Sequence, residues 1–105
     1  MPTADKTINN IDEIAGEYYF LIRELSRLLI GNATVEGNRF NPLTINISHK
    51  YYDNKLVFYI HVPRECRGRL IGRGGETAQT INRLIAACGK SSHDLRVSFS
   101  VQDDE

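Results

Sequence analysis

The stretch Gly68-Arg69-Leu70-Ile71-Gly72-Arg73-Gly74-Gly75 decides how this chain is read. Three glycines fall in its last four residues, and each gives up backbone entropy on folding. Such a run makes sense where the chain turns sharply or where another molecule must come close to the backbone. On its N-terminal side, residues 64–71 are predicted to form a helix of one or two turns. On its C-terminal side a second helix is predicted from Glu76 to about Cys88. Its buried face would hold Ala78, Ile81, Leu84, Ile85 and Cys88, and Gly89 would stop it.

Outward from this centre the periodicity changes from helix to strand. Residues 55–62 alternate, with Leu56, Phe58, Ile60 and Val62 on one face and Val57, Tyr59 and His61 on the other. Pro63 ends that strand, because it has no N–H for a ladder. Tyr52-Asp53-Asn54-Lys55 reads as a turn. Residues 43–49, with Leu43, Ile45 and Ile47 inward, form the other arm of an antiparallel hairpin. The stretch 31–42 is rich in Gly, Asn and Pro and reads as a long loop. Apolar residues at 11, 14, 18, 21/22, 25 and 28/29 mark one face of a helix. Asn10 is its expected cap, with Asp12 and Glu13 in the first turn and Gly31-Asn32 at the end. Near the C-terminus, Leu95, Val97, Phe99 and Val101 alternate with polar residues as a third strand. The order α-β-β-α-α-β predicts an α+β fold, a three-stranded sheet with three helices packed on one face and the other face partly open. Residues 1–9 read as a polar tail, 10–102 as one domain and 103–105 as an acidic tail.

At 105 residues the chain is long enough to bury a core without disulfides or metal. Its composition, 41% hydrophobic and 25% charged, excludes global disorder and fibrous repeats. No apolar run approaches the roughly 18 residues of a bilayer span, and the polar start gives no secretory leader, so a cytoplasmic location is expected. Cys66 and Cys88, with His49, His61 and His93, lack the paired spacing of a zinc site. They are read as two reduced thiols, at least one of them buried.

The formal net charge is zero, but the charge is unevenly distributed. Residues 1–63 carry six basic and seven acidic side chains, residues 64–96 seven and three, and residues 97–105 three acidic ones, giving −1, +4 and −3. Arginine dominates the positive segment, and its planar fork suits phosphate. Two phosphate-binding motifs fail against the glycine run. A Walker loop ending at Gly89-Lys90-Ser91 would need its first glycine at Leu84, and a G-x-G-x-x-G loop beginning at Gly72 meets threonine at position 77. A G-x-x-G loop set between two helices fits, as in KH domains.

The run Gly68–Gly75, followed by Ala78 and Ile81, resembles the KH signature, and the element order is similar to the type II arrangement of small stand-alone bacterial KH proteins. The resemblance covers residues 11–101. It implies a single-stranded RNA-binding protein that clamps about four nucleotides of backbone, with modest sequence specificity, acting as an RNA chaperone or post-transcriptional regulator. Carried over residue by residue, it implies a site built from Arg67, Gly68, Arg69, Ile71, Gly72, Arg73, Gly74, Gly75, Glu76 and Ala78. Glu76 departs from the family pattern, where this position is often basic; as the first helical residue it complements the dipole. No catalytic residue, metal, cofactor, small-molecule substrate or membrane is implied. The alternative is a KH fold used for protein association, as a homodimer or as the partner of a second KH-type RNA-binding protein, with Tyr51, Tyr52, Tyr59 and His61 as surface candidates.

Overall fold

Leu56, Phe58, Ile60 and Val62 are each no more than 1% exposed and form the centre of the core, in the strand Lys55–Val62. The computed structural model describes residues 3–103. In chain order the elements are α1 (Thr3–Ile30), β1 (Thr34–Val35), β2 (Asn38–Arg39), β3 (Asn46–Tyr52), β4 (Lys55–Val62), α2 (Arg64–Ile71), α3 (Glu76–His93) and β5 (Arg96–Asp103). The architecture is α+β, with three helices and a three-stranded sheet ordered β3-β4-β5.

β3 and β4 pair antiparallel through a tight turn at Asp53-Asn54. Both turn residues have positive φ, 49° and 60°. That geometry suits a two-residue hairpin. β4 and β5 pair parallel, Leu56 opposite Val97 and Phe58 opposite Phe99. Parallel neighbours need a long crossover, and α2, the glycine run and α3 supply it. The hairpin turn is tied to the start of β5: Arg96 N–H donates to the Asn54 carbonyl (3.2 Å), and the Asn54 side-chain amide to the Asp94 carbonyl (3.1 Å).

Five local expectations are corrected. The first helix begins at Thr3 rather than at Asn10; no glycine or proline between Thr3 and Asn10 interrupts it, so only Met1 and Pro2 of the expected tail lie outside the described residues. The expected loop 31–42 contains the β1–β2 hairpin, turning at Glu36-Gly37 with φ of 53° and 83°. It seats Ala33 in the core with Val35 and Phe40 against it. Leu43 is 70% exposed, because Asn41 caps a 3₁₀ turn over Pro42–Thr44 and β3 begins only at Asn46. Asp103, placed in the acidic tail, is the last residue of β5, while Asp104 and Glu105 lie outside the described residues. Finally, Gly89 does not stop α3; the helix continues to His93 and ends at Asp94 in the left-handed conformation (φ 54°). Gly89 is buried there for packing, since a Cβ on it would collide with Val97 Cγ2 and lie 2.9 Å from the Leu95 carbonyl oxygen.

Candidate nucleic-acid interface

The glycine run sits where α2 stops and α3 starts. The Gly72 N–H donates to the Gly68 carbonyl (2.8 Å) and closes α2. Gly72 then leaves the helix with φ 79° and ψ 173°. That region is open essentially to glycine alone. A Cβ at this position would also strike the Thr77 hydroxyl, so Gly72 is fixed by both conformation and contact. Arg73–Gly75 make a single 3₁₀ turn, in which the Gly75 N–H donates to the Gly72 carbonyl and the Glu76 N–H to the Arg73 carbonyl. Gly74 and Gly75 have φ of 61° and 79°, and nothing lies within 4 Å of where a Cβ would be on either. The backbone at Gly74 and Gly75 therefore has open space on the side where a side chain would stand.

The positions expected in the site divide into two groups. Gly72, Arg73, Gly74, Gly75 and Glu76 come together at the tip, with Arg73 and Glu76 exposed. Ile71 and Ala78 flank the tip half-buried and so present apolar surface beside it. Gly68 is exposed on α2 and accepts the hydrogen bond that ends the helix. Arg67 is half-buried on α2. Arg69 points elsewhere: its Nη1 donates to the Ile30 carbonyl (2.7 Å) and to Asn32 Oδ1 (3.3 Å). A cation at the last carbonyls of a helix is favourable, so Arg69 secures the end of α1 and does not face the loop. Its neighbour Leu70 is core, 1% exposed.

Two features of the site are not legible from motif spacing. Asn82 straddles the free edge of β5, its Nδ2 donating to the Phe99 carbonyl (3.1 Å) and its Oδ1 accepting from the Phe99 N–H (2.9 Å). With Gly89 against Val97 and Asn82 against Phe99, α3 runs antiparallel to β5. Its first turn, and the glycine tip before it, therefore lie toward Val101. The second feature is a surface cleft of ≈ 480 Å³ between α1 and the start of α3, lined by Leu25, Leu28, Leu29, Thr77, Thr80 and Ile81, with Glu76 at its rim. Leu28 belongs to the apolar stripe expected to be the buried face of α1, yet it is 66% exposed. Leu84 is likewise exposed on α3.

The remaining reactive side chains are dispersed. Cys66 is buried and Cys88 exposed, both as free thiols, and burial pushes the Cys66 thiol up. His49 Nδ1 meets the Tyr19 hydroxyl (2.7 Å), His61 Nε2 lies 3.4 Å from Ser48 Oγ, and His93 Nε2 lies 3.5 Å from Glu17 Oε2. Among the described residues no three His, Cys, Asp or Glu side chains are grouped to hold a metal ion, and no helix is long and apolar enough to cross a membrane. Comparisons with protein-family models, with curated proteins and with solved structures find no match.

Proposed function

We propose that this protein is a single-stranded RNA-binding module of the type II KH kind. The observation that carries this reading is the open backbone at Gly74 and Gly75 beside the exposed Arg73, at the head of an 18-residue helix. The element order, with an antiparallel and then a parallel strand pair joined through helix–loop–helix, supports it.

In this reading a phosphate approaches the Cα faces of Gly74 and Gly75. Arg73 supplies the charge and a forked donor, and the N-terminus of α3 adds the positive end of its dipole. Ile71 and Ala78 present apolar surface to the adjoining bases. Glu76 opposes the bound phosphate while favouring the helix. A single loop of this kind grips about four nucleotides, so affinity is modest. Ile71 and Ala78 select by shape, which makes the module tolerant of sequence and suits a chaperone or post-transcriptional regulator of RNA.

A second use is supported by the cleft between α1 and α3. Leu28 lines it with its side chain exposed, and Leu84 is exposed on α3 three positions after the lining residue Ile81. A protein partner, either a second copy or another KH-type protein, would cover that surface up to Glu76, at the edge of the glycine tip.

Fluorescence anisotropy with short unstructured RNA tests the main reading. Binding should weaken as salt rises, with a log–log slope of about −0.7 for each phosphate neutralised. No binding at low salt, or binding indifferent to salt, would contradict it.

A further inference from the structure

The face of the sheet turned away from the helices has a composition of its own. Its centre is Tyr59 on β4, which the strand register sets directly between Ser48 on β3 and Ser100 on β5. One step along β4, His61 lies between Asn46 and Gln102. Small or polar neighbours therefore lie directly across from both rings, which are half-buried in the face. The same face carries Lys50, Lys55 and Arg96, with Lys55 and Arg96 directly opposite one another across the parallel pair. Lys50 Nζ stands 5.9 Å from the centre of the Tyr59 ring. The outward positions of β3, β4 and β5 from Asn46 to Gln102 include no aspartate or glutamate. Two of these cations come from the part of the sequence with a net negative charge, so the patch is created by folding and does not appear in a linear charge count.

From this we infer that the open sheet face is a second binding surface for single-stranded RNA, separate from the glycine tip. The face combines what sequence-tolerant binders of single strands need: rings on which bases stack and cations that track the phosphates. Tyr59 and His61 are two residues apart on one strand, about 6.5 Å at the usual strand rise. That separation lets adjoining unstacked nucleotides place one base on each ring. The Lys50 ammonium stands over the first ring, so a stacking base displaces it to the edge, where it neutralises the phosphate of that nucleotide. The hydroxyls flanking the ring are already engaged, Ser48 Oγ with His61 Nε2 (3.4 Å) and Ser100 Oγ as acceptor from Gln102 Nε2 (2.8 Å). The two surfaces lie in different layers, the tip among the helices and the platform across the sheet from them. One protein thus holds two stretches of RNA, which suits a module whose single loop binds weakly. The inference does not require the glycine tip to bind.

The test is a ¹H–¹⁵N titration of the full chain with oligoadenylate of about eight nucleotides, twice what one loop grips, at low salt. Amides around Tyr59, His61 and Ser100 should shift in addition to those of residues 72–76. Tyr59→Ser should erase the sheet-face shifts, weaken binding to that face by roughly tenfold and leave the loop shifts intact, whereas Tyr59→Phe should retain them. A variant with Arg73→Asp and Gly74→Asp should do the reverse. Loop shifts alone, with the sheet face silent, would overturn the inference and leave the basic face to an acidic protein partner. Sheet-face shifts alone would uphold it and instead overturn the role of the glycine tip. Silence of both would overturn both.

Discussion

The two ends of α3 use the same residue type for opposite purposes. At its head, Gly74 and Gly75 have open space where a side chain would be; near its foot, Gly89 is pressed against Val97 and the Leu95 carbonyl. The first pair adopts backbone angles that other residues avoid and has nothing within 4 Å of where a Cβ would stand. The second lies in ordinary helix and packs so closely that a methyl group does not fit. A glycine that is open yet conformationally demanding either makes a turn, as Gly37 does between β1 and β2, or exposes backbone to something outside the fold. A glycine that is closed and conformationally relaxed serves the core. On this contrast the tip is where we propose the site, and Gly89 is a point of close packing between α3 and β5.

The largest expected effect breaks the closed end. Gly89→Val should cost about 3 kcal/mol, the upper range for overpacking a core. That lowers the melting temperature by at least about 10 °C for a domain of this size. RNA affinity per folded molecule should hardly change. A variant as stable as the parent would show that α3 stands away from β5.

Arg69→Ala addresses the boundary between the two roles. Arg69 holds the last carbonyls of α1, so its loss should cost about 1 kcal/mol of stability, the range of a cation at a helix C-terminus. RNA affinity should fall less than for Arg73→Ala. Thermal melts and anisotropy on the two variants decide this, and a greater affinity loss for Arg69→Ala would return that residue to the phosphate site.

The smallest effect sharpens the picture of the open end. Glu76→Arg should tighten RNA binding severalfold at most, since exposed charges interact by about 1 kcal/mol or less. The gain should shrink as salt rises. The same change places a cation at the positive end of α3 and should slightly lower the melting temperature. Weaker binding with the fold preserved would show that the Glu76 carboxylate makes a favourable contact to RNA, as an acceptor from a base or a 2′-hydroxyl.

The elements themselves are legible in the sequence because alternation and helical spacing are local. Leu56, Phe58, Ile60 and Val62 repeat every second residue, and all four are buried. The glycine tip is legible because a G-x-x-G run between helices is rare without a reason. What sequence alone does not reveal depends on contacts distant along the chain. Gly89 looks like a helix stop until Val97 is known to lie against it. Arg69 looks like a phosphate ligand until Ile30, 39 positions away, is found to be its acceptor. Asn82 gives no periodic signal at all, because its role is to satisfy one residue on the edge of a strand 17 positions later. The basic sheet face requires the register of three strands before Lys50, Lys55 and Arg96 become neighbours.

The measurement that bears most directly on the central claim is RNA affinity of a variant carrying both Arg73→Asp and Gly74→Asp, followed by anisotropy alongside a circular dichroism melt. The tip supports no core contact, and aspartate tolerates the left-handed conformation of Gly74 better than most residues. The melt should therefore stay close to that of the parent. Two carboxylates in place of a cation and a bare backbone should repel phosphate and remove the tip's share of binding to an RNA of about four nucleotides, the length one loop grips, leaving only what the sheet face holds. Parental affinity for that short RNA, in a variant with an unchanged melt, would contradict the account and place the RNA site away from the glycine tip.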